Sequence, residues 1–597
     1  MMKQYASMAA KKKKAAKKKK RETAESLASK QRDISVSEFF LKNRHLLGFD
    51  SPRKALVTAV KEAVDNALDA CEEAGIIPEL SVEIRQKRDS RFEVEVTDNG
   101  PGIVRDQVPR IFAKLLYGSK FHRLKMSRGQ QGIGISAAGM YGQLTTGSAT
   151  RILSKTRRHR KAHSLEVQLD TVKNKPTILR DIEVDWCPTF DSGNPRKKPV
   201  EYRHGTSVTI EMEGSYVRGR LSVDEFLKAC AVVNPHLQLH YRVRLLKNAA
   251  GLGPEQEQKK KRSPATQKKA KKSVARKNSG DDLELEDVPW IFYERVSKKL
   301  PEAPHEIKPH PHGVELGMLM QMLKGTSART LKSMLNQDFS RVSQKTAEDV
   351  CKRANLNPRS NPARIAHKES EALFKALNEA KLMRPPTDCL SPIGEEAIVS
   401  GLKKEIEADF YSAITRPPAV YRGNPFQIEV GVAYARPGEN EDLGADDPAR
   451  IMRFANRVPL LYMGGACAIT KATAGVNWKT YGLSQPRGSM PVGPLVIMVH
   501  IASVWVPFTS ESKEGVAHCP EIIREISFGL QEVGRRLAVY LRQRQRQAEA
   551  LRKREHMSLY IPHLALGLKE TLDLSDRQET IIVNKLNDML EKTHLET

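Results

Sequence analysis

The sequence predicts a multidomain α+β protein, and three observations carry that expectation. A chain of 597 residues is longer than one hydrophobic core usually organises. Within residues 35–247, runs with apolar residues at every second position alternate with runs at helical spacing, the pattern of helices laid on a sheet. The composition then shifts repeatedly. A basic stretch and its connection fill 248–305, a helical stretch follows at 306–390, and strand-like runs return over 391–545. The expected division adds a lysine-rich tail over 1–34 and an extension with a variable tail over 546–597.

Taken in order, residues 1–20 hold nine lysines and no acid, so this end is expected to be disordered. "SVSEFFLKNRHLLGF" (35–49) is a compact apolar lead-in to the first long helix. Ser51 stands where an N-cap belongs, Pro52 takes the first helical position, and Gly75 lies just past the end. Leu56, Val60, Val64, Leu68 and Cys71 recur three or four apart and make the buried stripe. "LSVEIRQ" (80–86) and "RFEVEVTDNG" (91–100) alternate as half-buried strands do. A helical stretch near 106–117, a glycine-rich segment at 118–142, and strands at 163–169 and 206–212 follow. Residues 259–277 hold ten Lys or Arg and no acid; with the amino-terminal run they suit salt-sensitive, sequence-independent attraction to phosphate backbones, and they supply much of the net charge of +28.

Turn signals "KGTSART" and "LNPRSNP" punctuate the helical stretch. Strands are expected at 426–434, 458–463 and 494–506, then a long amphipathic helix near 519–556 whose later part is polar all round. "PLVIMVHIASVWVPF" (494–508) is too short to span a bilayer and is expected to be a buried strand. No apolar leader opens the chain, so a soluble intracellular protein is expected. The seven cysteines are scattered without a C-x-x-C pair, against both a zinc site and a disulfide framework. The leucine-, isoleucine- and valine-bearing last fifty residues are expected to form helices that dock on a partner or on this chain itself.

Three stretches carry chemistry. The first helix bears Glu62, Asp65, Asn66 and Asp69 on one face, and Glu62 and Asn66, four apart, project side by side. The second strand ends in "DNGPGI" (98–103), where an aspartate followed by glycines places a carboxylate where backbone comes close to a ligand. "GQQGIGIS" (129–136) opens a helix and aims several backbone N–H groups at one point, which suits phosphate. It lacks the G-x-x-x-x-G-K-[ST] pattern of a P-loop. "HGTSVTIEM" (204–212) then sets a glycine and a threonine at the start of a strand.

In this order and spacing the stretches resemble the Bergerat nucleotide-binding fold of the gyrase, heat-shock chaperone, histidine kinase and mismatch-repair ATPases. The resemblance implies that Glu62 is the general base that activates water and that Asn66 holds Mg²⁺ beside the triphosphate. It implies that Asp98 bonds the adenine amine, with Gly100, Gly102 and Thr206 around the base. Gly129, Gln130, Gln131, Gly132, Ile133 and Gly134 are then the phosphate wrap. Asp65 and Asp69 match no catalytic role and are expected to be solvated.

Four further stretches resemble the B subunit of topoisomerase VI, the ATPase half of the type IIB DNA topoisomerases: "HPHGVELGML" (310–319), "RPPAVYRGNPFQIEVGVAY" (416–434), "RFANRVPLLY" (453–462) and "VPFTSESKEGVA" (506–517). What this implies is a Bergerat-fold ATPase domain, a helix-two-turns-helix domain at 306–390, and a ribosomal-protein-like transducer ending in a long stem helix. Lys513 matches the transducer lysine that touches the γ-phosphate, which distinguishes triphosphate from diphosphate. The implied ligands are ATP and Mg²⁺. The implied partners are duplex DNA, a second copy bound on ATP with 35–49 exchanged, and an A subunit carrying the cleavage tyrosine in an A2B2 heterotetramer. No strand-borne D-x-D pair offers the metal half of DNA cleavage here. The alternative is an ATP-dependent clamp or scaffold without strand passage; the full set Glu62, Asn66, Asp98, the glycine segment and Lys513 stands against it. No membrane association is expected. The location expected is the cytoplasm or nucleoid of a prokaryote, or the nucleus if the source is a eukaryote.

Overall fold

The computed structural model describes residues 23–29, 31, 34–118, 123–129, 132–191, 198–247, 285–435, 444–510 and 512–592. Its amino-terminal unit begins with α1 (Ala24–Ala28), α2 (Val36–Lys42) and α3 (Pro52–Glu73). In α3 the Ser51 hydroxyl accepts from Lys54 N, Pro52 stands at the first position, and the chain leaves through Gly75 at φ +69°. All five residues of the expected stripe are buried. The strand pair β1 (Glu79–Arg88) and β2 (Arg91–Asp98) comes next, then α4 (Val108–Phe112) and α5 (Gly134–Thr146). β3 (Thr150–Lys155), β4 (Ala162–Asp170), β5 (Lys175–Val184), the short pair β6 (Thr189–Phe190) and β7 (Val200–Glu201), and β8 (Gly205–Glu213) follow. The unit closes with α6 (Val223–Val233), β9 (Gln238–Arg244) and β10 (Ile291–Tyr293). Eight strands form one sheet in the order β10-β9-β1-β2-β8-β3-β4-β5, with only the β1–β9 pairing parallel. Helices α3 and α5 pack on its central strands, and α6 packs on α3. Phe40 and Phe49 of the lead-in are buried in this same core.

The helical unit comprises α7 (Leu316–Gly325), α8 (Leu331–Asp338), α9 (Gln344–Arg353) and α10 (His367–Glu379) around a core of its own. The carboxy-terminal unit opens with α11 (Glu395–Glu405), β11 (Phe410–Thr415), β12 (Ala419–Tyr421) and β13 (Asn424–Tyr434). After β14 (Arg450–Ala455), β15 (Val458–Pro459) and α12 (Ala468–Gly475) comes β16 (Leu495–Ser503), and α13 (Pro520–Leu572) and α14 (Asp576–Lys592) end the chain. The sheet runs β11-β13-β16-β14-β15, with β12 on the edge of β13. Every residue of β16 is buried, as its apolar run requires, with His500 inside it satisfied by Glu429. The two sheet units share a core: Ala229, Val232 and Val233 of α6 cluster with Ile398 and Leu402 of α11. Gly401 is what allows that approach, because a Cβ there would lie 2.0 Å from the Val232 carbonyl oxygen.

Three expectations change. The helix near 106–117 shrinks to a 3₁₀ turn at Arg105–Gln107 and the single turn of α4. Past it the Asn174 amide accepts from Leu115 N (3.0 Å) and donates to Leu115 O (3.2 Å), satisfying that backbone outside any helix. The strand at 458–463 is confined to Val458–Pro459, since the Arg453 guanidinium draws the carbonyls of Leu461 and Tyr462 away from the sheet (3.2 and 2.9 Å). The long helix runs to Leu572 rather than stopping near 556, and α14 folds back on it, tied by Lys569 to Asp576 and Glu579. Within the extension, α14 thus packs on the end of α13. Among the described residues no helix is long and apolar enough to cross a membrane.

Candidate active site

A cleft of about 580 Å³ opens where the amino-terminal sheet unit meets the carboxy-terminal one. Its walls are α3, the end of β2, the turn into α5, the start of β8, and the segments Pro459–Tyr462 and Ser512–Glu514 of the other unit. Glu62, Asn66, Asp98, Gly102, Gly129, Gly132, Ile133, Gly134, Thr206 and Lys513 all line it. Gly100 lies just beneath, donating its N–H to Asp98. Gln130 and Gln131 fall outside the described residues.

The sheet register places the base of the cleft. Asp98 of β2 lies opposite Thr206 of β8, which lies opposite Ser154 of β3. Asp98 Oδ1 accepts from Gly100 N (2.8 Å) and Thr206 N (3.2 Å), and Thr206 Oγ1 shares a hydrogen bond with Ser154 Oγ (3.1 Å). Burial pushes the Asp98 carboxyl up to about 7 against the pull of those two backbone donors. One oxygen is therefore spent on the backbone, and a donor meeting the other would favour the charged form. Gly102 has φ +73°, and a Cβ there would sit 2.2 Å from the Lys155 carbonyl oxygen, so only glycine fits this turn.

At the opposite wall, α5 starts at Gly134 behind Ile133, and no side chain caps its first turn. Its open N–H groups suit an anion. The Glu62 carboxylate lies across this end, close enough that a Cβ on Gly134 would stand 1.7 Å from Oε2. The Asn66 amide oxygen faces Gly129, a hard oxygen donor beside the open helix end.

Lys513 comes from the other unit. It holds a left-handed backbone (φ +54°), which a residue with a Cβ adopts only where its surroundings impose it. Its Nζ donates to the Arg128 carbonyl (3.2 Å). Burial lowers its pKa, opposed by the Glu62 charge. An amine held this way gains from any anion that enters the cleft.

Asp65 and Asp69 are not solvated: both are buried, because Arg128 and α6 cover that face of α3. Asp69 pairs with Arg128 at 3.0 Å, and burial raises Asp65 to about 7. Arg128 also takes both Glu72 oxygens (2.7 Å each), and His236 Nε2 meets Glu72 Oε1 at 2.8 Å. Burial opposes the charge on Glu72, but Arg128 and His236 hold it well below the usual carboxylate range. Sequence reasoning missed Glu72 and Arg128; the signal was a single arginine directly before the glycine turn.

Residues 52–214 match the family of histidine kinase-, DNA gyrase B-, and HSP90-like ATPases, and residues 385–553 match the topoisomerase VI B subunit transducer. The chain is 44% identical over 579 residues to the B subunit of type 2 DNA topoisomerase 6 from Methanococcoides burtonii, covering 96% of this chain and 83% of that one. It is 45% identical over 551 residues to the protein of the same name from Methanosarcina mazei, at 92% and 79% coverage. With that of Archaeoglobus fulgidus the figures are 42% over 549 residues, at 92% and 81%.

Proposed function

The chain belongs to the family of type 2 DNA topoisomerase 6 B subunits, and from that premise we propose that it is an ATP-operated gate on duplex DNA. It is the ATP-hydrolysing subunit of a type IIB topoisomerase. ATP binding joins two copies through their amino-terminal units. The closed pair traps one duplex, a partner A subunit cleaves a second, and hydrolysis reopens the gate, so supercoils relax and linked circles separate. An A2B2 assembly in the nucleoid fits that task, and the basic runs at 1–20 and 259–277 fit a role on the DNA backbone. The proposed division assigns 35–247 to the ATPase domain, 306–390 to the helix-two-turns-helix domain and 391–545 to the transducer.

The carrying observation is Lys513: a side chain of the carboxy-terminal unit lines the cleft that Glu62, Asn66 and Asp98 build in the other. In our reading Glu62 orients a water and takes its proton as it attacks the terminal phosphorus. Asp98 fixes the adenine amine, and Gly132, Ile133 and Gly134 offer backbone N–H groups to the phosphates, while the Gly129 N–H is held by Asp69 Oδ2 at 3.4 Å. Asn66 would hold Mg²⁺, which neutralises phosphate charge when bound. Lys513 reports the terminal phosphate, because only the triphosphate gives its half-buried ammonium a phosphate anion there. Transfer to water demands positioning and charge neutralisation more than covalent help.

The test is the mass of the chain in solution, alone and with Mg²⁺ and a non-hydrolysable ATP analogue. Monomer turning to dimer on the analogue is expected; a mass indifferent to nucleotide sinks the gate. Asp98 provides a second expectation. Its folded pKa of about 7 stands above the ordinary 3.8, so its protonated form favours the empty fold at low pH and that contribution fades as pH rises through 7. An adenine amine favours the ionised form instead. ATP is therefore expected to bind more tightly as pH rises through 7, measured by calorimetry. Asp98→Asn, which turns a donor toward the amine, is expected to lose about 10²-fold or more in affinity and that pH dependence with it. Retention of the wild-type pH profile in Asp98→Asn excludes the assignment.

A further inference from the structure

A two-residue turn joins β14 to β15. Phe454 faces Pro459 and Ala455 faces Val458, so Asn456 and Arg457 are the entire loop, at φ +49° and +65°. Loops of this kind favour Asn-Gly, because a left-handed backbone at the second position strains any residue with a Cβ. An arginine that endures the strain while buried calls for a reason in its side chain. Arg457 Nη2 donates to Ser391 O (3.1 Å), Ser391 Oγ (3.0 Å) and Pro392 O (3.1 Å), and Nη1 stands 3.9 Å from Glu72 Oε2. Asn456 Nδ2 donates to Ser127 O (3.0 Å) and Ser503 O (2.9 Å).

One of these contacts, Asn456 Nδ2 to Ser127 O, falls on the limb that leads into the glycine turn, and Arg457 reaches that limb only through Glu72, the partner of Arg128. From Leu124 to Arg128, backbone groups of that limb are taken by residues far along the chain. Leu124 O accepts from Ile307 N (3.0 Å), and Met126 N donates to Cys389 O (3.0 Å). Ser127 O accepts from Asn456, and Arg128 O from Lys513. The Arg128 side chain is anchored the other way, into Asp69, Glu72 and Asn234 of the amino-terminal unit. Glu72 thus sits between Arg128 of the limb and Arg457 of the turn.

We propose that the Asn456–Arg457 turn is a latch that positions the phosphate-binding glycine segment for hydrolysis, a second point besides Lys513 at which the carboxy-terminal unit sets that segment. The proposal rests on the nucleotide-site reading above. Neither residue is among those lining the cleft, so both are positioning residues. A rotation of the carboxy-terminal unit carries the turn with it. It then pulls the Ser127 carbonyl and disturbs the Glu72–Arg128 clamp, and Gly129 follows as the next residue.

The test uses the full chain with Arg457→Gly, which removes the guanidinium while relieving the left-handed strain. A purely structural role predicts a lower Tm, from the lost guanidinium contacts, with turnover unchanged wherever the chain is folded. The latch predicts that kcat for ATP falls between about 10- and 100-fold, as displaced reacting groups do, with KM within a few-fold. It also predicts faster amide hydrogen exchange at 124–128 with the central strands unaffected, and partial recovery of kcat in Arg457→Lys. Asn456→Asp keeps the acceptor that Ser503 N uses, loses the donor to Ser127 O and to Ser503 O, and is expected to show the same loss; faster exchange at 124–128 rather than at the end of β16 decides the matter if Arg457→Gly fails to fold. Wild-type kcat with unchanged exchange at 124–128 overturns the latch. If the wild-type chain neither binds nor hydrolyses ATP, the nucleotide reading fails instead, and exchange at 124–128 still decides the latch.

Discussion

Glu62→Gln is expected to stop ATP turnover while leaving ATP-driven closure intact. The glutamine has nearly the same shape, and its partly exposed site at the cleft wall makes no demand on folding. What it lacks is a basic oxygen. A positioned general base contributes about 10²- to 10⁴-fold, so phosphate release is expected to fall by that factor. In the proposed cycle closure has a different origin, in the triphosphate, the uncapped end of α5 and Lys513. The substitution also removes a negative charge that supports the Lys513 ammonium, leaving the bound phosphates as its chief counter-charge. Glu62→Gln with ordinary ATP is therefore expected to accumulate as the dimer that the proposed cycle has the wild-type chain pass through only transiently. Phosphate release and solution mass, taken on one preparation, check both halves. A variant that turns over within a few-fold of wild type removes Glu62 from the chemistry, and one that never dimerises means that closure needs hydrolysis.

The parts of this site that the sequence discloses are those governed by neighbours in the chain. Ser51, Pro52 and the spacing from Leu56 to Cys71 mark α3 because caps and helical period are local. The Asp98 turn announces itself because a strand alternation stops at a carboxylate and glycines. What stayed hidden depends on partners far along the chain. Asp69 read as solvated because its cover, Arg128, lies 59 residues away. Strand β9 and helix α6 gave no separable signal: β9 is defined by a parallel pairing to β1 across more than 150 residues, and α6 by its burial between α3 and α11. Strand β5 exposes both faces at the sheet edge, so it has no apolar alternation to detect. Nothing local distinguishes Lys513 from a surface lysine between two glutamates; family likeness alone pointed to it, and its left-handed backbone and burial become visible only in three dimensions. The turn Asn456–Arg457 lay in plain view between two apolar runs, yet its departure from Asn-Gly carries meaning only once its strained backbone is seen.

Glu429→Ala is expected to be the costliest single change in the carboxy-terminal unit. Glu429 has no exposed surface and stands in register with His500 on β16 and Thr415 on β11. It accepts from Ile393 N (2.8 Å), Gly394 N (2.7 Å), Thr415 Oγ1 (2.9 Å) and His500 Nδ1 (2.8 Å). His500 Nε2 in turn accepts from Arg457 N (3.0 Å), so the ring is neutral with its proton on Nδ1. Burial favours that neutral ring, and although burial also opposes the charge on Glu429, His500 and the two backbone donors hold its carboxyl below the ordinary range. Alanine leaves three buried N–H groups without their acceptor. A buried donor left without its acceptor costs about 1–3 kcal/mol, so the three together cost several times that, and a fall in Tm on the order of 10 °C follows for a unit of this size. Glutamine keeps one acceptor and is expected to fall between. The pH dependence fixes the sign. Glu429 stabilises the fold above the ordinary carboxylate pKa of 4.5 and loses that contribution as pH falls through its lowered folded value. His500, also lowered, refuses a proton that the unfolded chain accepts below about 6.5, so both groups weaken the fold on acidification. The Tm gap between wild type and Glu429→Ala is thus expected to be widest near neutrality and to narrow in acid below 4.5. A gap that is small at neutral pH, or that widens in acid, means that the pair does not hold the sheet. The consequence reaches the active site, because the backbone of Arg457 hangs from His500. Loss of Glu429 frees the ring that fixes the turn, and ATPase activity is expected to fall at temperatures where the chain is still folded.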